Sequence, residues 1–508
     1  MGNSPIRCFR CYLLMLGPVI FGSANAYGQV ADSDPFASGV RPTPALSPAD
    51  ELAGFQLPAG FQVQLVAAEP EIAKPLNMAF DVRGRLWITD TLEYPYAAPL
   101  DRPGRDSVKI LEDADGDGLA EKITTFADGL NIPLGIYPFK NGAIVFSIPH
   151  IWNLQDTDGD GVCDQRTKLY GPFGYDRDTH GMNNAFRRGF DGWLYACHGF
   201  NNQTQVAGAD GHQISMQSGN TYRMRTDGQR LEHITWGQVN PFGMTCDERG
   251  NWFTADCHSK PLYQLLRDGY YPSFGKPHDG LGFVAEMMNH LHGSTAIAGA
   301  AITTGSMFPP EFADNIFSGN VMTSRINRNR LEASGATMKA IEQPDLLIAY
   351  DPWFRPVDIQ FGPDGALYVA DFYNRIIGHY EVPLTHPGRD RTSGRIWRIV
   401  YRGSNDSPVP PRRSSPLAAA MVPAFPDAAA DDHAGDETLV DPARASVAQL
   451  VAALDHAVLP HRMRLADQIV DRTPWQKIRV ELKHRFGPES ARIQLGFYPS
   501  RNTRIGQS

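Results

Sequence analysis

Four stretches of this chain share one plan. A short apolar strand leads into a turn with a glycine, a second apolar strand follows, and a polar residue stands six positions after the glycine. The stretches are NMAFDVRGRLWITD (77–90), NNAFRRGFDGWLYACH (183–198), GMTCDERGNWFTAD (243–256) and VDIQFGPDGALYVAD (357–371), closing on Asp90, His198, Asp256 and Asp371. A looser copy, GIYPFKNGAIVFS (135–147), lacks that ending, and a degraded unit is read near DNIFSGNVMTSRI (314–326). The turn glycines stand 58, 50, 58 and then 115 residues apart, and the last gap leaves room for the degraded unit. Six units, each opening on a hairpin, predict an all-β fold, a six-bladed β-propeller over residues 60–402. The regular long period argues against a β-sandwich. GFQVQLVA (60–67) and GRIWRIVY (394–401) are β-rich segments at the two ends and are expected to pair, closing the ring.

Such a wheel brings the start of each innermost strand and the end of the next strand to one mouth. That gathers Asp90, His198, Asp256 and Asp371 with Lys74, Asn131, His180, Asn240 and Arg355. Two readings stand together here. Each aspartate alone reads as a staple for turn N–H groups, whereas the set, with His180 and Arg355 in it, reads as a ligand site.

Outside the repeats the chain sorts by composition. Arg7 and Arg10 precede the apolar run Leu13–Phe21, and Ala24-Asn25-Ala26 offers a small-residue cleavage site. Residues 1–26 therefore read as a secretory signal peptide, followed by a linker over 27–59. No later apolar run is long enough to span a bilayer, so a periplasmic or secreted protein is expected. A formal charge of -9 and no basic stripe exclude a nucleic-acid-binding class. Cleavage leaves Cys163, Cys197, Cys246 and Cys257, whose disulfide pairing the sequence leaves open. The Cys8/Cys11 pair is followed by Tyr12, so there is no covalent haem motif. Residues 403–440 form a linker rich in Pro, Ala, Ser and Asp. A helical pair is expected over 441–474: Val447, Leu450, Val451 and Leu454 keep helical spacing after Ser446, and Pro460 opens a second segment through Leu465 and Ile469. Residues 475–508 look irregular.

Two further stretches match each other, DADGDGLAE (113–121) and DTDGDGVCD (156–164). Acids at loop positions 1, 3 and 5, glycine at 6 and an acid at 9 suit Ca²⁺. The candidate ligands are Asp113, Asp115, Asp117, the Leu119 carbonyl and Glu121, then Asp156, Asp158, Asp160, the Val162 carbonyl and Asp164. Both loops lie between short strands and are expected as outer hairpin turns, with the ion in a structural role.

DTHGMNNAFRRGFDGWLYACHGF, VNPFGMTCDERG, DCHSKPLYQL, DPWFRPVDIQFGPDGALYVADFYNRIIGHYEVPLTHPGRDR and SGRIWRI resemble the bacterial membrane-bound dehydrogenase domain proteins. These are more distantly similar to soluble quinoprotein glucose/sorbosone dehydrogenases. The resemblance implies pyrroloquinoline quinone as cofactor, held over the channel mouth. It implies His180 as general base and Asn240, Arg355, Lys74, Arg325 and Asp256 as cofactor-binding residues. It also implies a sugar or alcohol substrate. The C-terminal helical pair resembles a first HEAT unit, and with no haem domain the electrons would pass to a separate carrier such as a c-type cytochrome. Three functions remain open: a quinone-dependent dehydrogenase, a Ca²⁺-dependent lactonase using Asp90, Asp256 and Asp371, and a binding propeller for carbohydrate or protein that performs no chemistry.

Overall fold

The computed structural model describes residues 34–99, 101–274, 282–294, 296–303, 308–378, 382–403, 446, 449–450 and 459–472. The expected signal peptide, nearly all of the 403–440 linker, most of the expected first C-terminal helix and the 475–508 tail lie outside the described residues.

Six antiparallel sheets form the blades, and a two-stranded hairpin, Gln203–Ala207 with Gln213–Gln217, is inserted within the third. In chain order the innermost strands are Lys74–Phe80, Leu134–Phe139, Asn184–Arg188, Asn240–Cys246, Ile297–Ile302 and Pro356–Phe361. Each packs beside the next, and the sixth returns to the first. The sixth sheet seals the ring as expected: Phe61–Ala68 pairs with Arg395–Tyr401, from Phe61 opposite Tyr401 to Ala68 opposite Arg395. The degraded unit is the second strand of blade five, Asn315–Asn320. A longer connection, not a glycine turn, separates it from its inner strand.

Every inner strand breaks register once against its neighbour, for example between Pro75 and Met78, Asn184 and Arg187, and Pro356 and Asp358. A bulge leaves N–H groups that the ladder cannot pair. Side chains of the adjoining inner strand take them. Gly135 N–H donates to Asn77 Oδ1 at 2.8 Å, Gly243 N–H to Asn184 Oδ1 at 3.3 Å, and Met78 N–H to Asp358 Oδ2 at 2.9 Å. The strands approach so closely here that a Cβ on Gly243 (φ +110°) would lie 2.5 Å from Gly299 Cα. Glycine is required at that point by both space and conformation. Lower in the channel, Arg187 of blade three reaches Asp358 of blade six at 3.4 Å.

Both ends of the described chain dock onto the wheel. Ser47 caps a short helix, Pro48–Ala53, by accepting Asp50 N–H at 3.2 Å. Its Glu51 forms a fully buried ion pair with Arg395 of blade six. At the other end of the chain, the helix Leu459–Arg472 is the segment expected to open at Pro460. Met463 and Arg464 line one cavity with Arg188, Cys246, Ile302 and Phe361, at the lower ends of inner strands. Asp467 accepts from the Tyr137 hydroxyl at 2.7 Å and pairs with Arg188 at 3.1 Å. This helix packs on the lower mouth of the channel. Upstream, Ser446 Oγ accepts Gln449 N–H at 3.3 Å, as expected of an N-cap.

Candidate functional site

At the upper mouth the strand-end acids turn toward backbone. Asp90 accepts Ala73 N–H at 2.9 Å, Asp256 accepts Asn240 N–H at 2.7 Å and Val239 N–H at 3.1 Å, and Asp371 accepts Arg355 N–H at 2.8 Å. Ser147 Oγ does the same for Asn131 N–H in blade two, at 2.9 Å. Each satisfies an N–H presented where the chain turns into an inner strand. His198 instead links Ser218 O and Thr204 Oγ1, both at 2.8 Å. All five are buried. Burial raises the Asp90 and Asp371 carboxyls above the usual range and lifts Asp256 to about 7. These residues frame the mouth and do not line its cavity.

That cavity holds about 270 Å³. Leu76, Leu134, Phe242, Val321, Val357 and Phe372 give it apolar walls, while Tyr94, Thr179, His180, Asn240, His258 and Ser294 bring polar groups. Two sequence candidates, His180 and Asn240, therefore share one cavity. The His180 loop is clamped from several sides. Asp178 Oδ1 accepts His180 N–H at 2.6 Å, Asn202 Nδ2 donates to Asp178 O at 2.6 Å, and Thr179 Oγ1 donates to Pro95 O at 2.6 Å. His180 Nδ1 is hydrogen-bonded to the Tyr94 hydroxyl. Burial, with the charge of Asp178, raises the Tyr94 phenol well above its usual range and keeps it neutral. Asn240 Oδ1 accepts Phe200 N–H at 3.1 Å, so its Nδ2 is the group it can offer a ligand.

The other sequence candidates lie outside the lining. Lys74 Nζ donates to the carbonyls of Phe372 (2.9 Å) and Tyr373 (2.5 Å) and pairs with Asp390 at 2.7 Å. Burial lowers its ammonium to about 8. Arg355 donates to Asn374 O at 3.0 Å and to Val321 O, and burial lowers it to about 9. Arg325 pairs with Asp345 at 2.8 Å. Lys74 and Arg355 thus hold the backbone of Phe372 and Val321, which are wall residues. Among the described lining residues there is no lysine or arginine. The apolar walls, Asn240 and His180 suit the rings and carbonyls of a quinone, and any cations for the carboxylates of pyrroloquinoline quinone would have to come from outside the described lining. Tyr94, Asp178 and His258 were not singled out from sequence as site residues. Tyr94 lies just past the Asp90 strand end and His258 just past Asp256, in the loops that a propeller turns toward its mouth.

The acidic loops do form. Ligand oxygens of Asp113, Asp115, Asp117 and Glu121 lie within 4.8 Å of one another, and so do those of Asp156, Asp158 and Asp160. Asp164 bonds Thr157 instead, accepting its N–H at 3.0 Å and its hydroxyl at 2.6 Å. Leu119 and Val162 donate N–H groups to Asp117 and Asp160 across each loop. Both loops are outer hairpin turns, in blades one and two. Each leans on the preceding blade: Gln64 Nε2 donates to Asp117 O at 2.8 Å, and Cys163 N–H donates to Phe126 O at 2.7 Å. The donor set fits a hard cation bound at a blade seam. No disulfide joins Cys163, Cys197, Cys246 and Cys257.

A family model described as Domain of unknown function (DUF7133) matches residues 47–403, the propeller with the short helix before it. The chain belongs to that family. A search of the curated proteins finds no match. Among solved structures this DUF7133 protein is similar to a glucose dehydrogenase at 16% identity and TM-score 0.43, over 66% of this chain and 98% of that one. The pyranose dehydrogenase PQQ domain of Coprinopsis cinerea gives 14% and 0.42, over 68% and 97%. The PQQ-bound aldose sugar dehydrogenase of Streptomyces coelicolor gives 14% and 0.40, over 68% and 100%.

Proposed function

We propose that this protein is an exported, dehydrogenase-like enzyme that oxidises a hydroxyl of a small sugar or alcohol in the upper cavity. The observation that supports this most is His180 on the cavity wall with its Nδ1 held by Tyr94. For Nε2 to take a hydroxyl proton, Nδ1 must carry the ring hydrogen and donate it to the phenol oxygen. A neutral Tyr94 suits that role. Asn240 Nδ2 and the Ser294 hydroxyl can bond sugar oxygens, and Phe242 and Phe372 can cover a ring face. The sequence resemblance gives pyrroloquinoline quinone as the group whose chemistry would accept the hydride, with electrons leaving to a separate carrier. In this reading the two acidic loops bind Ca²⁺ as structural ions.

The absence of lysine and arginine among the described lining residues favours a second reading, a cavity that binds an uncharged small molecule without redox chemistry. A lactonase with Ca²⁺ on the axis is less well supported, because Asp90, Asp256 and Asp371 are engaged with backbone N–H groups. One experiment separates these readings. Purified protein is titrated with pyrroloquinoline quinone in Ca²⁺, and dye reduction is followed over a sugar and alcohol panel. Saturable reduction supports the first reading. Sugar binding without reduction supports the second, and lactone hydrolysis needing only Ca²⁺ would replace both.

A further inference from the structure

Among the described residues blade four has three strands, and an irregular segment, residues 282–292, packs between it and blade five. Met287 and Met288 of this segment sit with Phe253 and Leu262 on one side and Ile316 and Ala340 on the other. The segment also carries His290 and His292. Both Nε2 atoms converge on Asn329 Oδ1, at 2.8 and 3.1 Å. Glu342 stands opposite Asn329 in the strand pairing of blade five, and its Oε1 lies 3.3 Å from His292 Nδ1. One ligand atom from each of His290, His292 and Glu342 falls within 4.8 Å of the others.

Hydrogen bonding alone leaves this cluster in conflict. If both Nε2 atoms donate to Asn329 Oδ1, His292 Nδ1 presents a lone pair to the Glu342 carboxylate. Turning the amide over would let His292 Nδ1–H donate to Glu342, but in either orientation one polar atom of the fully buried Asn329 amide stays without a partner among the described residues. A divalent cation resolves the clash, since neutral imidazole and carboxylate are both its ligands. A nitrogen and an oxygen 3.3 Å apart also form one edge of a tetrahedron with metal bonds of about 2.0–2.1 Å.

We propose that His290, His292 and Glu342 bind a first-row divalent cation of the Zn²⁺ type, with water filling the exposed side. His292 Nε2–H donates to Asn329 Oδ1, and that bond fixes the ring so that Nδ1 faces the metal. Imidazole ligands set this site apart from the two acidic loops, which suit Ca²⁺. The ion ties the irregular 282–292 segment to blade five at the seam with blade four.

The test uses the full chain, stripped with chelator and then held in excess Ca²⁺ so that the carboxylate loops are filled. Zn²⁺ is titrated by calorimetry, and Co²⁺ is used as a visible-absorbance probe. The expected result is one saturable Zn²⁺ equivalent, a rise in melting temperature on binding, and a tetrahedral Co²⁺ spectrum. Affinity should fall more than about tenfold in both His292→Ala and Glu342→Gln. Glu342 is half exposed, so the second variant keeps the test decisive if the first misfolds. No saturable Zn²⁺ binding, or binding unchanged in Glu342→Gln, overturns the proposal.

Discussion

Asp256 shows what a single buried carboxyl does for this fold and how to measure it. Unfolded, it titrates near the ordinary value of about 4, whereas folded it titrates at about 7. Between those values the folded chain holds a proton that the unfolded chain has lost. Stability must therefore fall as pH rises through that window, by at most about 1.4 kcal/mol per pH unit from this group, and level off above it. Asp256→Asn should remove that slope, read as the difference between wild-type and variant urea midpoints across the window. A difference that does not change with pH would contradict the assignment. At the cavity, Tyr94→Phe keeps the ring and loses the phenol oxygen beside His180 Nδ1. It should lower turnover by about tenfold, while His180→Ala should lower it by about 10²–10⁴-fold, both read as kcat at saturating substrate. At this scale the sequence was legible in part. The repeat showed where polar residues gather, but Asp90, Asp256 and Asp371 face backbone N–H groups while His180 and Asn240 face the cavity. Residue type and spacing do not distinguish those directions. Lys74 and Arg355 were similarly ambiguous, because a cation beside a mouth can hold a ligand or, as here, the carbonyls behind the wall.

At the scale of elements, the docked ends carry the clearest energetic test. Glu51 and Arg395 are both completely buried, and Arg395 also reaches Glu69 at 2.9 Å. Glu51→Ala leaves the guanidinium with one carboxylate and should destabilise the fold by about 3 kcal/mol, measured by urea unfolding. The helix Leu459–Arg472 makes a second case. Asp467→Ala takes away the shared partner of Tyr137 and Arg188. It should speed hydrogen exchange in that helix and leave the strands of blade two unchanged. Hairpins were legible because glycine turns and strand alternation are local signals. The helix after Pro460 was legible as a helix from its 3.6-residue spacing. Its docking against the lower mouth was not, because an apolar stripe does not name the surface that covers it. Blade five was the hardest to read, since a longer connection replaces the glycine turn between its first two strands.

Across the whole molecule, the period of the repeat carried the fold. Blade number, ring closure by the two terminal strands and the placement of the acidic loops on outer turns all follow from it. The loops lean on the neighbouring blade, so occupancy by Ca²⁺ should couple to the stability of the wheel. Chelation should lower the melting temperature, by about 2–4 °C for each kcal/mol lost. Added Ca²⁺ should restore it, and the double variant Asp115→Asn, Asp158→Asn should show no response to added Ca²⁺. The functional claim also belongs to this scale, because the cavity exists only where several blades meet. Its most direct test is the rate of quinone-dependent dye reduction, with a sugar or alcohol substrate, in wild type against His180→Ala of equal melting temperature. Wild type should show a saturable rate that falls at least about a hundredfold in the variant. Equal rates in the two proteins would contradict the functional claim.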